Sequence, residues 1–242
     1  METAVLSGPV AAQFADEGFA VLPDFYAPAE IAALLRAVES AAGSGPNFRR
    51  SQEVFAIREL LKEIPALWAL LDTAALRQLL AGLFPEGCQL VKAIYFDKPA
   101  GSNWLVAWHQ DLMINVDQRA DLPGFGPWTS KAEGVSVQPP VAVLENVLTL
   151  RIHLDDCDAT NGALKVVPGS HRHGVVPAAA IAGYTPQATV CAVPAGGAML
   201  MKPLLLHASN RSTSARPRRV MHLEFASVDL PAGLAWRERR KV

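Results

Sequence analysis

Near residue 88 the hydrophobic pattern of this chain changes period, and the change limits the folds open to it. Upstream, apolar residues recur at helical spacing: Ile31, Leu34, Leu35 and Val38 follow Pro28, with Glu30 in the first turn. Phe14 and Phe19 flank Gly18 ahead of Val21-Leu22, which predicts a helix and then an edge strand. Gly43-Ser44-Gly45-Pro46 breaks the next helix. Further helical stretches are expected over Val54 to Leu61 and Ala66 to Leu83, closing at Pro85 and Gly87. Downstream the chain reads as short strands: Leu90 to Phe96, Trp104 to Trp108, Val147 to Leu154, Ala163 to Val167, Ala188 to Val193, Ala198 to Leu206 and Arg218 to Ala226. Turn residues such as Gly169-Ser170 and Asn210 to Pro217 separate them. Helices first and antiparallel strands after predict a mainly β fold with flanking α-helices, a two-sheet jelly roll with the helices outside one sheet. Residues 115–140, rich in Gly, Pro and Trp, fit neither period. A stretch of that length in a compact domain often serves as an active-site lid or binding loop.

With 242 residues, half of them apolar, the chain suits one large domain with a substantial core. The expected division is a helical part over 1–87, a jelly-roll core over 88–228 and a lid over 115–140. A net charge of −1 gives no general field favouring nucleic acid or an anionic membrane, so neither is an expected partner. The one basic run, Arg237-Glu238-Arg239-Arg240-Lys241, is expected to be a solvated terminus. No apolar run approaches the ~20 residues that span a bilayer, and Met1 to Val10 lacks a secretory pattern. Cys88, Cys157 and Cys191 form neither a disulfide framework nor a zinc pattern, which fits reduced thiols in a cytoplasmic protein.

His109-Gln110-Asp111 and His207 carry the strongest chemical signal. Two imidazoles and one carboxylate are the ligand set of a non-haem Fe(II) site with open positions. His109 and Asp111 share strand parity and can point to one side, while His207 closes the apolar run Leu204-Leu205-Leu206 and is expected to point inward from a strand. Arg218 stands eleven residues beyond His207 (218 minus 207). On its strand Arg218, Val220, His222 and Glu224 share one face, and Arg219, Met221, Leu223 and Phe225 share the other. The apolar face should pack under the helices, sending Arg218 into the interior, where a guanidinium suits a carboxylate-bearing co-substrate. An internal salt bridge to Glu224 or Asp155 is the alternative. By the same logic Thr149, Arg151 and His153 look into the cavity opposite Leu148, Leu150, Ile152 and Leu154, which makes Arg151 a rival anchor. Lys92 is either a further cavity cation or a lysine that snorkels to water. His171 and His173 read as turn residues, Trp104 and Trp108 as packing, and Phe125 and Trp128 as candidate lid residues.

A series of short motifs runs through nearly the whole length: Phe14 to Leu22, Phe96-Asp97-Lys98, Trp108-His109-Gln110-Asp111, His153-Leu154-Asp155-Asp156, Asn161-Gly162-Ala163-Leu164, Pro168-Gly169-Ser170-His171, His207-Ala208-Ser209-Asn210 and Arg218-Arg219. In these the chain resembles the phytanoyl-CoA dioxygenase family of Fe(II)/2-oxoglutarate-dependent oxygenases. The resemblance implies a double-stranded β-helix core of the cupin-like kind, with iron held by His109, Asp111 and His207. It also implies 2-oxoglutarate bound by Arg218 with help from Ser209, dioxygen as oxidant, and release of succinate and CO₂. The presence of Asp111 favours hydroxylation of a small molecule over halogenation. Two other readings stay open: a cupin-like metal enzyme without 2-oxoglutarate, and a non-catalytic binding barrel.

Overall fold

The structure is a computed structural model that describes residues 9–41, 47–50, 55–98, 105–131 and 134–242. The first third holds helices α1 (Pro9–Glu17), α2 (Pro28–Glu39), α3 (Leu60–Glu63), α4 (Leu67–Leu71) and α5 (Ala74–Leu83), with strands β1 (Phe19–Leu22), β2 (Phe48–Arg50) and β3 (Phe55–Arg58) between them. There follow β4 (Gln89–Lys98), β5 (Val106–His109), β6 (Ile114–Val116), β7 (Trp128–Lys131), β8 (Gly134–Val137) and a short helix α6 (Val141–Leu144). The rest is β9 (Val147–His153), β10 (Leu164–Val166), a helical turn α7 (Ile181–Tyr184), β11 (Thr189–Cys191), β12 (Ala198–Met201), β13 (His207–Ser209), β14 (Arg218–Ala226) and β15 (Arg240–Lys241).

The expected mainly β fold with helices outside one sheet is what the strands build. The major sheet runs β1-β12-β9-β14-β4-β3-β2, with β15 also paired to β4, and the minor sheet runs β11-β10-β13-β5. Among the described residues every strand pairing in the two sheets is antiparallel. The outer face of the major sheet is apolar, and Leu148, Leu150, Ile152, Met221, Leu223 and Phe225 pack with Leu34, Leu67, Leu76 and Leu79 of the helices. Each fully buried Leu, Ile or Phe contributes roughly 1.5–3 kcal/mol, so this helix-on-sheet layer carries most of the burial. The inner face is the opposite. Thr149, Arg151, His153, Arg218, His222 and Glu224 lie there, all buried.

Several elements differ from the sequence-based expectation. Residues 55–61 are not one helix: Phe55–Arg58 is a strand that covers the edge of β4, pairing Phe55 with Asp97 and Arg58 with Ile94. The unpaired edge of a ten-residue strand outcompetes a weak helical pattern, and Glu59, in the left-handed region at φ 48°, turns the chain into α3. Val54, Trp104 and the break at 43–46 lie outside the described residues. The helix expected over 66–83 is two, because Thr73 starts α5 afresh by accepting from Leu76 N at 3.2 Å. Ala198 to Leu206 is a strand only to Met201; Pro203 has no ladder donor, and the chain turns there to cross from the major to the minor sheet. His207 therefore opens a strand rather than ending one. Within 115–140, β6, β8 and β7 form a third sheet around Ile114, Val116, Val137 and Trp236. Strands of three or four residues are too short to show a period. The basic tail is solvated as expected at Arg239, Arg240 and Lys241, which are exposed, but it is also tethered: Arg240-Lys241 pairs with β4, and Arg237 bonds to Glu59.

Candidate metal and co-substrate site

The register of the minor sheet brings the ligand candidates together. His207 opens β13 directly opposite His109 at the end of β5, and their rings lie 4.2 Å apart. Asp111 follows β5 in a turn fixed by its own N–H, which donates to Pro203 O at 2.9 Å. Asp111 Oδ1 is 3.7 Å from His109 Nε2, and Oδ2 is 3.6 Å from His207 Nε2. One donor atom from each of the three lies within 4.8 Å of the others. Among the described residues this is the cluster able to hold a metal ion, and His171 and His173 are not in it. They sit in the short helical turn Ser170–His173, as expected.

Backbone carbonyls set both tautomers. His109 Nδ1 donates to Ala107 O at 2.8 Å and His207 Nδ1 to Leu205 O at 2.9 Å, which leaves each Nε2 lone pair free for a metal. Burial, against the pull of Asp111, pushes His207 down to about 4, so its ring is neutral near pH 7. Burial alone would raise the Asp111 carboxyl, but His207, His222, Lys92 and His109 together hold it below the ordinary carboxylate range. A neutral imidazole beside an ionised carboxylate is the protonation state a ligand set needs.

Gln110, which the sequence reading passed over, pins the motif. Its Nε2 donates to Gly174 O at 2.8 Å and Leu204 O at 2.6 Å, and its Oε1 accepts from Val176 N at 2.8 Å. The available signal was parity: Gln110 points away from the two ligands that flank it.

Arg218 lies inside the jelly roll, 6% exposed, where its Nη1 donates to Gly162 O. Gly162 (φ 85°) lies so close to Lys98 and Asn210 that a Cβ would meet Lys98 Nζ at 2.9 Å. The two carboxylates that might have neutralised Arg218 are engaged elsewhere. Asp155 binds Arg219 at 2.7 Å, and Glu224 binds Lys92 at 2.8 Å and His222 at 3.0 Å. Among the described residues Arg218 makes no ion pair, so the internal salt bridge is not what holds it. Thr149 Oγ1, Arg151 Nε, both His153 ring nitrogens, Ser209 Oγ and Arg218 Nε are buried without a partner. Each such orphan costs about 1–3 kcal/mol. Their concentration in one interior fits a polar ligand, and an anionic oxo acid matches both the cations and the donors. The donor set of the triad likewise fits a divalent iron.

Comparison with known proteins settles the relationship. The family model described as phytanoyl-CoA dioxygenase matches residues 14–220. The chain belongs to the phytanoyl-CoA dioxygenase family. It is an iron- and 2-oxoglutarate-dependent oxygenase, with His109, Asp111 and His207 able to hold the metal. Among solved structures, EctD from S. alaskensis with 2-oxoglutarate and 5-hydroxyectoine is 22% identical, with a TM-score of 0.73 over 94% of this chain and 78% of that one. SnoK, a non-haem α-ketoglutarate-dependent carbocyclase from nogalamycin biosynthesis, is 16% identical, with a TM-score of 0.69 over 93% of this chain and 85% of that one. SnoN, the epimerase of the same biosynthesis, is 18% identical at a TM-score of 0.65 over 95% and 84%. At these identities the likeness is one of fold. No curated protein matches the chain. No helix among the described residues is long and apolar enough to cross a membrane.

Proposed function

We propose that this oxygenase hydroxylates an unactivated C–H bond of a small organic molecule, consuming 2-oxoglutarate and dioxygen and releasing succinate and CO₂. The observation that carries the reading is the coincidence, in one interior, of a two-histidine, one-carboxylate cluster and a buried arginine, Arg218, that makes no ion pair among the described residues. Iron at His109, Asp111 and His207 would supply the activation of dioxygen that side chains cannot provide. Arg218 binds the distal carboxylate of 2-oxoglutarate, and Ser209 and Thr149 donate to it through hydroxyls that have no protein partner. Lys92 contributes its charge from the side of β4, held against Glu224. Both carboxylate oxygens of Asp111 face the imidazoles, which supports hydroxylation over halogen transfer.

The chain acts as one catalytic unit in this reading. In it the helical part over 1–87 backs the major sheet, the core over 88–228 holds the site, and 115–140 serves as the lid that excludes water. Phe125 and Trp128 pack against the apolar cluster of Ile114, Val116, Val137 and Trp236, with the Arg119 guanidinium over the Trp128 ring. The partner is a small-molecule substrate rather than nucleic acid or a membrane, and three free cysteines suit the cytoplasm.

Succinate release from 2-oxoglutarate, measured after anaerobic reconstitution with and without Fe(II), tests the reading. Turnover should need iron, oxygen and the co-substrate, and His207→Ala should abolish it. Full activity in that variant would sink the ligand assignment. Iron-dependent oxidation that proceeds without 2-oxoglutarate would favour the cupin-like alternative, and metal binding with no turnover the non-catalytic barrel.

A further inference from the structure

Among the described residues Arg151 is a buried cation with no carboxylate of its own. It is 8% exposed; Nη1 donates to His222 Nδ1 at 3.0 Å, and Nε has no partner. Arginine can only donate, so His222 Nδ1 accepts and the ring proton sits on Nε2. That proton is donated to Glu224 Oε1 at 3.0 Å, and Glu224 is held by Lys92 Nζ at 2.8 Å. The row crosses three neighbouring strands, with Lys92 on β4 opposite Glu224 on β14, and His222 on β14 opposite Arg151 on β9. Its charges read plus, minus, neutral, plus. One carboxylate balances one of two cations, and Arg151 is the one left over.

The position of that surplus charge is informative. Arg151 lies within electrostatic reach of both Arg218 and Asp111, and it acts in turn on His207. Its strand pairs with β14, which Arg218 opens, so the surplus charge is near both the metal cluster and the distal anchor. On the inner face of β9 it is flanked by Thr149 and His153, whose own polar atoms are unpartnered. Burial, then repulsion by Arg218, pulls the Arg151 guanidinium down to about 10. A desolvated guanidinium calls for a hydrogen-bonded anion. A dicarboxylate held at the metal cluster and at Arg218 would bring such an anion within reach of the unpartnered Arg151 Nε.

We propose that Arg151 is a second carboxylate-binding residue, taking the metal-proximal carboxylate of 2-oxoglutarate while Arg218 takes the distal one. The inference rests on the 2-oxoglutarate reading above. Lys92, Glu224 and His222 are then positioning residues that hold the guanidinium in place.

Calorimetric titration of the anaerobic Fe(II)-loaded protein tests this with two oxo acids. 2-Oxoglutarate carries both carboxylates, and 2-oxovalerate keeps the oxo-acid end and lacks the distal one. Arg218→Gln should weaken 2-oxoglutarate about 10- to 100-fold and leave 2-oxovalerate within about twofold. Arg151→Gln should weaken both by about 10- to 100-fold, with the iron content unchanged. Arg151→Lys keeps the charge and loses the fork, so it should recover part of the loss for both acids. If Arg151→Gln does not fold, Arg151→Lys carries the test, and unchanged affinities in it overturn the proposal. Affinities for both acids within about threefold in Arg151→Gln overturn it too, as does a loss confined to 2-oxoglutarate. Failure of the unsubstituted Fe(II) protein to bind either acid overturns the 2-oxoglutarate reading itself, an outcome visible before any variant is made.

Discussion

At the scale of single residues, the side chain with the widest reach binds no metal. Gln110 sits between two ligands and ties their turn both to Gly174 and Val176 and to Leu204, three residues before the third ligand. One amide thus references both halves of the ligand set. Gln110→Leu keeps the bulk, removes three hydrogen bonds and leaves the Val176 N–H without its partner. The expected cost is about 2–4 kcal/mol of stability. Iron affinity should fall roughly 10- to 100-fold, as for other groups that orient ligands. Urea unfolding and a competitive Fe(II) titration measure the two, and iron affinity within about twofold of the unsubstituted protein would remove Gln110 from the site. The ligands themselves were readable because their residue types and spacing have few other uses. Gln110 was not, because a lone glutamine has no pattern until its three backbone partners come from 64 to 94 residues away.

At the scale of elements, β9 shows how one strand serves two ends. Its alternation was legible because each face is chemically uniform: Leu148, Leu150 and Ile152 enter the helix-packed core, while Thr149, Arg151 and His153 enter the cavity. Substitutions on its two faces should therefore separate stability from function. Leu150→Ala, at a fully buried position, should cost about 2–5 kcal/mol of unfolding free energy. Thr149→Val replaces a hydroxyl that has no partner by a methyl group. It should leave stability unchanged or raise it by about 1 kcal/mol, while weakening 2-oxoglutarate. Denaturation curves and co-substrate titration on both variants decide the matter. A destabilised Thr149→Val with normal co-substrate binding would mean that its hydroxyl serves the fold. The elements that sequence reading misplaced lack such uniform faces. Phe55–Arg58 is too short to show a period and is made a strand by the open edge of β4, and the run to Leu206 hides a change of sheet at Pro203.

At the scale of the whole molecule, the jelly roll was legible as a class, but the partners of its edges were not, because pairing across more than a hundred residues leaves no local trace. The C-terminal segment is the clearest case. Arg239, Arg240 and Lys241 are exposed, as their charges suggested, but Arg239 also bonds to Gln89 and Asp229, and Arg237 to Glu59. Between those arginines Glu238 turns inward and accepts from Ala93 N at 3.2 Å. Burial, with Glu59 and Glu224 adding to it against the N–H and Lys92, pushes its carboxyl from 4.5 up to about 7. The folded protein therefore binds this proton more tightly than the unfolded chain does. Between pH 4.5 and about 7 the folded state carries more protons, so the contribution of Glu238 falls as pH rises through that window and levels off above it. The gap sets an upper limit of about 3 kcal/mol, and partial solvent access to the side chain reduces it to about 1–2 kcal/mol. Glu238→Gln keeps a neutral side chain at every pH and should remove this slope. Urea midpoints at pH 5 and pH 8 should then show the variant gaining about 1–2 kcal/mol on the unsubstituted protein as pH rises. Parallel pH dependences in the two proteins would mean that Glu238 is already ionised in the fold, with the C-terminal segment held by its arginines alone.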